Sequence, residues 1–270
     1  MPEQAVYTHG HHASVVRSHG RRTAANSSAY LLPHIKPTDH ILDIGCGPGS
    51  ITVDYAALVP QGSVLGIDSV SAVLSSARSL ASERGLSNVA FRAHDANELP
   101  FGDGEFDIVV CHQVLQHVRD PVGVLTEMRR VCKKGGIVAA READYKSFAW
   151  YPELPGLETW GRVYQEVAKA NGGEPNAGRY VGAWAREAGF EKDDVTFSWD
   201  CWNYQDEEAV VWSRNWTERT LKSSFADTSL EKGICTQEDL DGISETWKEW
   251  GEKEGAFIVI GNGEILCRKK

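Results

Sequence analysis

The sequence has no run of eighteen apolar residues, the length that a membrane-spanning helix requires. It has no surplus of positive charge either, because 28 Lys and Arg face 38 Asp and Glu and leave a formal net charge of −10. Nucleic-acid-binding proteins normally carry a basic face, so we expect neither a membrane nor a nucleic acid as a partner. No basic-then-apolar leader segment opens the chain, and the six cysteines include no Cys-x-x-Cys pair. Both absences favour reduced thiols in a cytoplasmic protein.

Tryptophan is missing from the first 149 residues, although nine occur from position 150 onward. Histidine shows the opposite distribution, since all nine lie at or before His117. The two parts of the chain are therefore built differently. We expect an N-terminal arm over residues 1–34 and one domain over residues 35–270, with an aromatic, helix-leaning insertion at about residues 145–176.

Strand-like and helix-like segments alternate between His40 and Arg141. Apolar strand patterns occupy residues 40–45, 63–68, 89–94, 106–112 and 137–141, and helical patterns occupy 51–59, 71–84 and 121–134. This alternation predicts a mostly parallel, seven-stranded sheet with helices on both faces. Further along, helices are predicted at 177–188, 206–224 and 236–250, with a strand at 195–202. The last strand, within 257–267, is predicted to be reversed by a hairpin near Gly261–Gly263.

A glycine-rich segment, Leu42–Gly49, lies between the first predicted strand and the helix that follows it. Glycines there allow a tight turn that can approach a ligand closely, and the helix N-terminus offers free N–H groups. About twenty residues later Asp68 ends the second strand, where an acid can accept hydrogen bonds from ribose hydroxyls. Together these features predict a nucleoside-ligand site at the carboxyl edge of a parallel sheet.

The motif Asp-x-Gly-x-Gly-x-Gly that begins at Asp43 resembles the first motif of class I S-adenosylmethionine (SAM) methyltransferases. The strand Phe106–Val109 and the following Asp120-Pro121 also look like the ubiquinone/menaquinone-biosynthesis type of small-molecule methyltransferase. This resemblance implies a Rossmann-like fold, SAM as cofactor and a small-molecule methyl acceptor. It implies that Asp68 holds the ribose and that Asp95 and the Ala96 N–H hold the adenine. The expected cofactor-binding residues are Asp43, Gly45, Gly47, Gly49, Asp68, Ser69, Asp95, Ala96, His112 and Gln113.

Two other functions stay open from the sequence. A nicotinamide-dependent oxidoreductase also needs a glycine loop and a strand-end acid. It is disfavoured because Gly49 falls one residue early for the dinucleotide fingerprint and Asp95 would have no role. A non-catalytic protein that keeps the SAM pocket for regulation would carry the same motifs.

For proton transfer, the resemblance places the site mouth after the fourth strand, where His117 is the expected base because a histidine pKa suits transfer near neutrality. Glu142, Asp144 and Tyr145 are rival candidates. The aromatics of the insertion, which are Trp150, Tyr151, Trp160 and Tyr164, either form a helical core or line a pocket for a flat or apolar acceptor. The cluster His9–His12 fits a solvated arm or a lid better than a metal site, and we expect no metal.

Overall fold

The computed structural model describes residues 22–270. Its strands are β1 (His40–Ile44), β2 (Ser63–Asp68), β3 (Val89–Ala93), β4 (Phe106–His112), β5 (Cys132–Ala143), β6 (Ala149–Tyr151), β7 (Val195–Gln205) and β8 (Phe257–Arg268). Its α-helices are α1 (Ala24–Ser27), α2 (Ser50–Leu58), α3 (Val73–Glu83), α4 (Pro121–Val131), α5 (Pro155–Ala170), α6 (Val181–Glu187), α7 (Asp206–Lys222), α8 (Ser224–Glu231) and α9 (Gln237–Gly251).

The strands form one sheet in which β3, β2, β1, β4 and β5 are parallel neighbours in that order. Strand β8 is antiparallel to β5 and also pairs with β7 and β6. The predicted Rossmann-like α/β architecture is therefore confirmed. The sheet has eight strands rather than seven, because the first residues of β8 extend past β5 and pair with the short β6.

The predicted hairpin at Gly261–Gly263 is wrong. These residues lie in the middle of β8, where Gly263 pairs with Glu142 on one side and with Trp199 on the other. A Cβ atom at Gly263 would lie 1.8 Å from the backbone oxygen of Gly178. The glycine therefore allows a close approach between two backbone segments rather than a turn.

Helix α4 is also shorter than the predicted 121–134. It begins as expected, with Asp120 as N-cap accepting a hydrogen bond from the Gly123 N–H at 2.7 Å and with Pro121 in its first turn. It ends at Val131 because Cys132 is already extended and pairs with Phe106.

A second, aromatic core lies beside the sheet, and we call it the aromatic cap. It is built from α5, α7, α8, α9 and the first half of β8. The Trp160 ring is its centre, with edge contacts to Trp216 at 4.8 Å and Trp247 at 5.0 Å between ring centroids. Trp160 and Tyr164 are fully buried there, whereas Tyr151 is 55% exposed. The insertion at 145–176 thus supplies only one helix of the cap.

The described part of the N-terminal arm is fastened to both cores. The Ala24 N–H donates to Asp54 on α2 at 2.8 Å, and the Trp202 indole donates to the Asn26 carbonyl at 2.8 Å. The Ser28 hydroxyl lies 2.5 Å from that of Tyr55. Residues 22–28 therefore bridge from α2 to strand β7, over the carboxyl edge of the sheet.

All six cysteines lie within the described residues and carry free thiols. No helix in residues 22–270 is long and apolar enough to cross a membrane. Within the same residues no three His, Cys, Asp or Glu side chains gather as metal ligands. The cluster His9–His12 lies outside the described part of the chain.

Candidate functional site

The glycine loop follows β1 at the carboxyl edge of the sheet. The φ angles are 68° at Gly45, 53° at Gly47 and 82° at Gly49. Residues with a Cβ atom rarely adopt this left-handed region. A Cβ atom at Gly45 would lie 2.3 Å from a methyl carbon of Val114, so this glycine permits close contact with the loop after β4. At Gly47 a Cβ atom would meet nothing within 4 Å. The loop is therefore packed at its base and open at Gly47.

Asp68 lies at the open side of this loop. One of its carboxylate oxygens accepts a hydrogen bond from the Gly47 N–H at 3.0 Å and the other accepts one from the Val70 N–H at 2.9 Å. Each oxygen keeps lone pairs for a further donor. Ser69 is exposed beside it. Both predicted residues thus lie next to the open part of the glycine loop.

Asp43 holds the loop from below. It is buried on β1 and accepts a hydrogen bond from the Thr52 hydroxyl on α2 at 2.6 Å. Burial raises the pKa of its carboxyl group to about 7, against the opposing effect of that hydrogen bond. The contact ties the strand before the loop to the helix after it, which is an orienting role.

Asp95 and Ala96 follow β3, the strand next to β2. The two strand ends are in register, because Asp68 pairs with Ala93. The Asp95 carboxylate accepts two hydrogen bonds from Asn97, one from its N–H at 2.9 Å and one from its amide group at 2.7 Å. Both acids therefore stand on the same edge of the sheet, two residues apart in register.

Two predicted residues, His112 and Gln113, lie where β4 ends and the next loop begins. The Gln113 backbone has a φ of 54°, and its side-chain oxygen accepts a hydrogen bond from Arg22 at 2.5 Å. His112 is buried, with its ring centroid 5.5 Å from that of Trp202. Burial, followed by the charges of Arg22 and Arg141, lowers the pKa of His112 well below its usual range. Gln113 thus lies at the site surface and His112 lies beneath it.

Glu142 fixes the course of that loop. Its buried carboxylate accepts hydrogen bonds from the N–H groups of Val114 at 3.0 Å, Leu115 at 2.9 Å and Gln116 at 3.1 Å. Burial raises its pKa to about 7, while the three hydrogen bonds act in the opposite direction. The Glu142 carboxylate therefore binds backbone N–H groups rather than a ligand.

The other candidate bases also differ in their surroundings. Burial lowers the pKa of His117 to about 3, and the ring lies 2.9 Å from the Gln116 amide. A ring with that pKa is a weak proton acceptor near neutrality, and the role of His117 stays a prediction. Asp144 is buried in an ion pair with Arg179, at 2.5 Å. Tyr145 faces the pocket described next.

A pocket opens beside Gln113, between the sheet edge and the aromatic cap. It holds about 810 Å³ of empty space, a volume that includes the open solvent at its mouth. Its aromatic walls are Tyr145, Phe148, Trp202, Tyr204 and Trp212, and its polar groups are Arg22, Asn26, Gln113, Glu208, Asn215 and Arg219. His117 is not among the residues that line it.

Most of these wall residues are absent from the predicted site. Trp202 and Tyr204 come from β7, and Trp212, Asn215 and Arg219 come from α7, far along the chain from the glycine loop. The available signals were the crowding of tryptophan after position 150 and the arginines of the N-terminal arm. Neither signal indicates which of those residues meet at one surface.

The comparisons with known proteins agree with this architecture. The family described as "Methyltransferase domain" matches residues 35–189. An uncharacterized methyltransferase of Schizosaccharomyces pombe is 35% identical over 99% of this chain and 98% of its own. The demethylmenaquinone methyltransferase of Alkalihalophilus pseudofirmus is 29% identical over 71% of this chain and 87% of its own.

Among solved structures, a putative methyltransferase from Bacillus halodurans C-125 superposes with a TM-score of 0.59. It is 20% identical, and the match covers 90% of this chain and 98% of that one. The resemblance drawn from the sequence motifs is confirmed by these matches, and the chain belongs to the methyltransferase-domain family.

Proposed function

We propose that this methyltransferase transfers a methyl group from SAM to a small, flat acceptor held in the aromatic pocket. The observation that carries the proposal is the loop after β4. On one side Val114 packs against Gly45 of the glycine loop, and on the other side Gln113 lines the pocket. A ligand over the glycine loop and a ligand in the pocket would therefore be neighbours across a single loop.

The residues at the sheet edge fit SAM. The loop is open at Gly47, where no atom lies within 4 Å of a built Cβ, so its backbone is free to approach a ligand. Asp68 and Asp95 stand at adjacent strand ends and offer carboxylate lone pairs for ribose hydroxyls and for the adenine amino group. Gly49 is the N-cap of α2, so the positive end of that helix lies at the loop, where it would favour the carboxylate of SAM.

When bound, SAM supplies an activated methyl group on a positively charged sulfur, and the electron pair of the broken carbon–sulfur bond stays with sulfur. The protein's part is mainly to align the acceptor and exclude water, and such positioning contributes roughly 7–11 kcal/mol of barrier reduction. The rings of Tyr145, Phe148 and Trp202 give the acceptor a flat apolar surface, and the arm residues Arg22 and Asn26 cover it. No strong proton acceptor is required of the protein if the acceptor reaches the site already deprotonated.

Calorimetric titration tests the cofactor assignment with a matched pair of variants. We expect SAM and S-adenosylhomocysteine (SAH) to bind the wild type and NAD not to bind. Asp95→Ala should weaken SAH binding at least tenfold, whereas Asp103→Ala removes an acid that is 81% exposed and should leave it unchanged. Binding of NAD without SAM would contradict the proposal and favour an oxidoreductase.

Transfer is tested separately with SAM carrying a labelled methyl group and a panel of phenols, hydroxyarenes and aryl carboxylates. We expect label in at least one flat acceptor and its loss in Tyr145→Ala, which removes a pocket wall. SAH binding that persists while no member of the panel is methylated would instead favour a non-catalytic SAM-binding protein.

A further inference from the structure

The sheet ends on one side at β7, whose outer edge has no neighbouring strand. Within residues 22–270 this eleven-residue strand pairs only with β8, so the backbone N–H and C=O groups along its other edge form no ladder. An unpaired edge of this length is a template for a further strand. The opposite end of the sheet differs, because β3 has only five residues and one of them is the exposed Arg92.

Strand β7 carries none of the features that keep a sheet edge from pairing. Such features are proline, lysine, a bulge or a short strand. The residues Val195–Gln205 include neither proline nor lysine, and their register against β8 is unbroken from end to end. The one charged side chain, Asp200, binds Arg141 at 2.8 Å and so reaches across β8 to β5 instead of projecting from the edge. The free edge is therefore regular and uncharged.

Aromatic side chains stand beside this edge in contact with solvent. Phe197 is 49% exposed and Trp199 is 42% exposed, and their ring centroids lie 6.4 Å apart. Side chains alternate along a strand, so both rings and the exposed Cys201 share one face of β7. Neighbouring exposed apolar groups of this kind mark protein interaction sites.

We infer that the partner is a second copy of this chain, whose β7 pairs antiparallel with this one about a two-fold axis at Trp199. A two-fold axis places each residue opposite a residue of the same strand, so the edge must complement itself. In this register Trp199 faces its own copy and Phe197 faces the partner's Cys201. Asp200 faces the partner's Ser198 rather than another acid, which avoids a like-charge pair.

Charges beyond the paired residues favour the same axis. Asp206 begins α7 directly after β7, and the register brings it toward the partner's Lys192, which precedes the strand. An axis at Cys201 would instead bring Glu208 toward the partner's Asp194. Opposite charges that meet across an interface fix its register, and like charges exclude the alternative.

The surface that this pairing covers is sufficient for a weak dimer. The nine residues 195–203 span about 31 Å of an edge about 10 Å thick, which is about 300 Å² on each copy. The exposed parts of Phe197 and Trp199 add about 100 Å² each. The total over both copies is about 1,000 Å², close to the lower limit for a specific interface. We therefore expect a dimer that dissociates at micromolar concentrations.

Analytical ultracentrifugation of the wild type tests the dimer itself. Between about 1 µM and about 100 µM protein, the range in which so small an interface should assemble, the mass should rise from 29.7 kDa toward twice that value. A monomer at every concentration would overturn the proposal, because another segment or another protein would then have to cover the edge.

Variants locate the seam and its axis. Trp199→Lys and Trp199→Glu should each give a monomer at the highest concentration, because like charges would face each other at the axis. An equimolar mixture of the two variants should restore a dimer, since opposite charges then meet. Tyr151→Lys is the control and should keep the dimer, because Tyr151 is an exposed aromatic on β6, away from the edge.

A dimer that survives both Trp199 substitutions, or one that Tyr151→Lys dissociates, would overturn the β7 seam. Failure of the mixture to dimerise would overturn the axis at Trp199. SAH affinity, measured on each variant, shows whether the chain is still folded.

A measurement on the wild type supports the seam without any substitution. Because Cys201 faces the partner's Phe197 in the dimer, its labelling by excess iodoacetamide should slow at least threefold as the protein concentration rises over the same range. A constant labelling rate in a protein that dimerises would mean that the copies meet elsewhere, and would overturn the proposal. Neither measurement involves SAM or an acceptor, so the outcome is independent of the proposed function.

Discussion

Replacing Glu142 by Gln should change how stability depends on pH. In the unfolded chain this carboxyl group ionises near its ordinary pKa of 4.5, whereas in the folded protein burial raises the pKa to about 7. Between these values the folded state binds more protons than the unfolded state, so the stabilising contribution is complete at low pH and is lost as pH rises through 7. At about 1.4 kcal/mol per pH unit, the loss amounts to about 3 kcal/mol.

The measurement is urea unfolding of the wild type and of Glu142→Gln at a series of pH values from 4.5 to 8. Tryptophan fluorescence monitors the unfolding. The glutamine has no titrating proton. The difference in unfolding free energy, wild type minus variant, should therefore fall by about 3 kcal/mol over this range. Asp43 also has a raised pKa, but it is present in both proteins and cancels in the difference.

The exposed Glu98 supplies the control, because Glu98→Gln should leave the wild-type pH dependence unchanged. Parallel stability curves for the wild type and Glu142→Gln would refute the reasoning. That result would mean that the Glu142 carboxyl group has the same pKa in the folded and unfolded chains. Its burial beneath the loop after β4 predicts that the two pKa values differ.

Three further predictions follow from contacts described above. Gly45→Ala should weaken SAH binding at least tenfold by calorimetry, because its new methyl group would lie 2.3 Å from Val114. Gly85→Ala is the control and should leave SAH binding intact, because Gly85 has a similar φ of 66° but open surroundings. Trp247→Ala should lower the free energy of unfolding by about 3–5 kcal/mol in urea, since this ring is fully buried in the aromatic cap; a change under 1 kcal/mol would contradict that packing. Brief treatment of the native protein with iodoacetamide should label Cys201 first by mass spectrometry, because it is the one exposed thiol of the six, and preferential labelling of a buried thiol would show that the strands open.

The sheet and the glycine loop could be predicted from sequence because their signals are local. Each parallel strand is a short apolar run, and the glycines and Asp68 occur within one strand–helix–strand unit. The course of β8 could not be predicted in this way. Gly261–Gly263 has the composition of a turn. Only long-range contacts explain why glycine is needed within a strand, since Gly263 lies against Gly178, over eighty residues earlier, and Gly261 lies against Trp199.

The pocket shows the same limit for the candidate site. Gln113 is predicted as a cofactor-binding residue because it follows the fourth strand, and the structure places it in the wall of the pocket. Trp202, Trp212 and Arg219 reach the pocket only through the packing of the aromatic cap, which joins segments separated by about fifty residues. Tertiary packing of that kind has no periodic signal in a single sequence.

The twelve-residue β8 also constrains how ligands enter and leave. Residues 262–268 of β8 pair with β5, residues 257–259 pair with β6, and residues 257–267 pair with β7. Moving the aromatic cap away from the sheet would break or bend these shared strand pairings. We therefore do not expect the cap to open as a rigid lid. The face of the pocket lined by Arg22 and Asn26 is held by side-chain contacts and not by a strand ladder, so we expect ligands to enter and leave there.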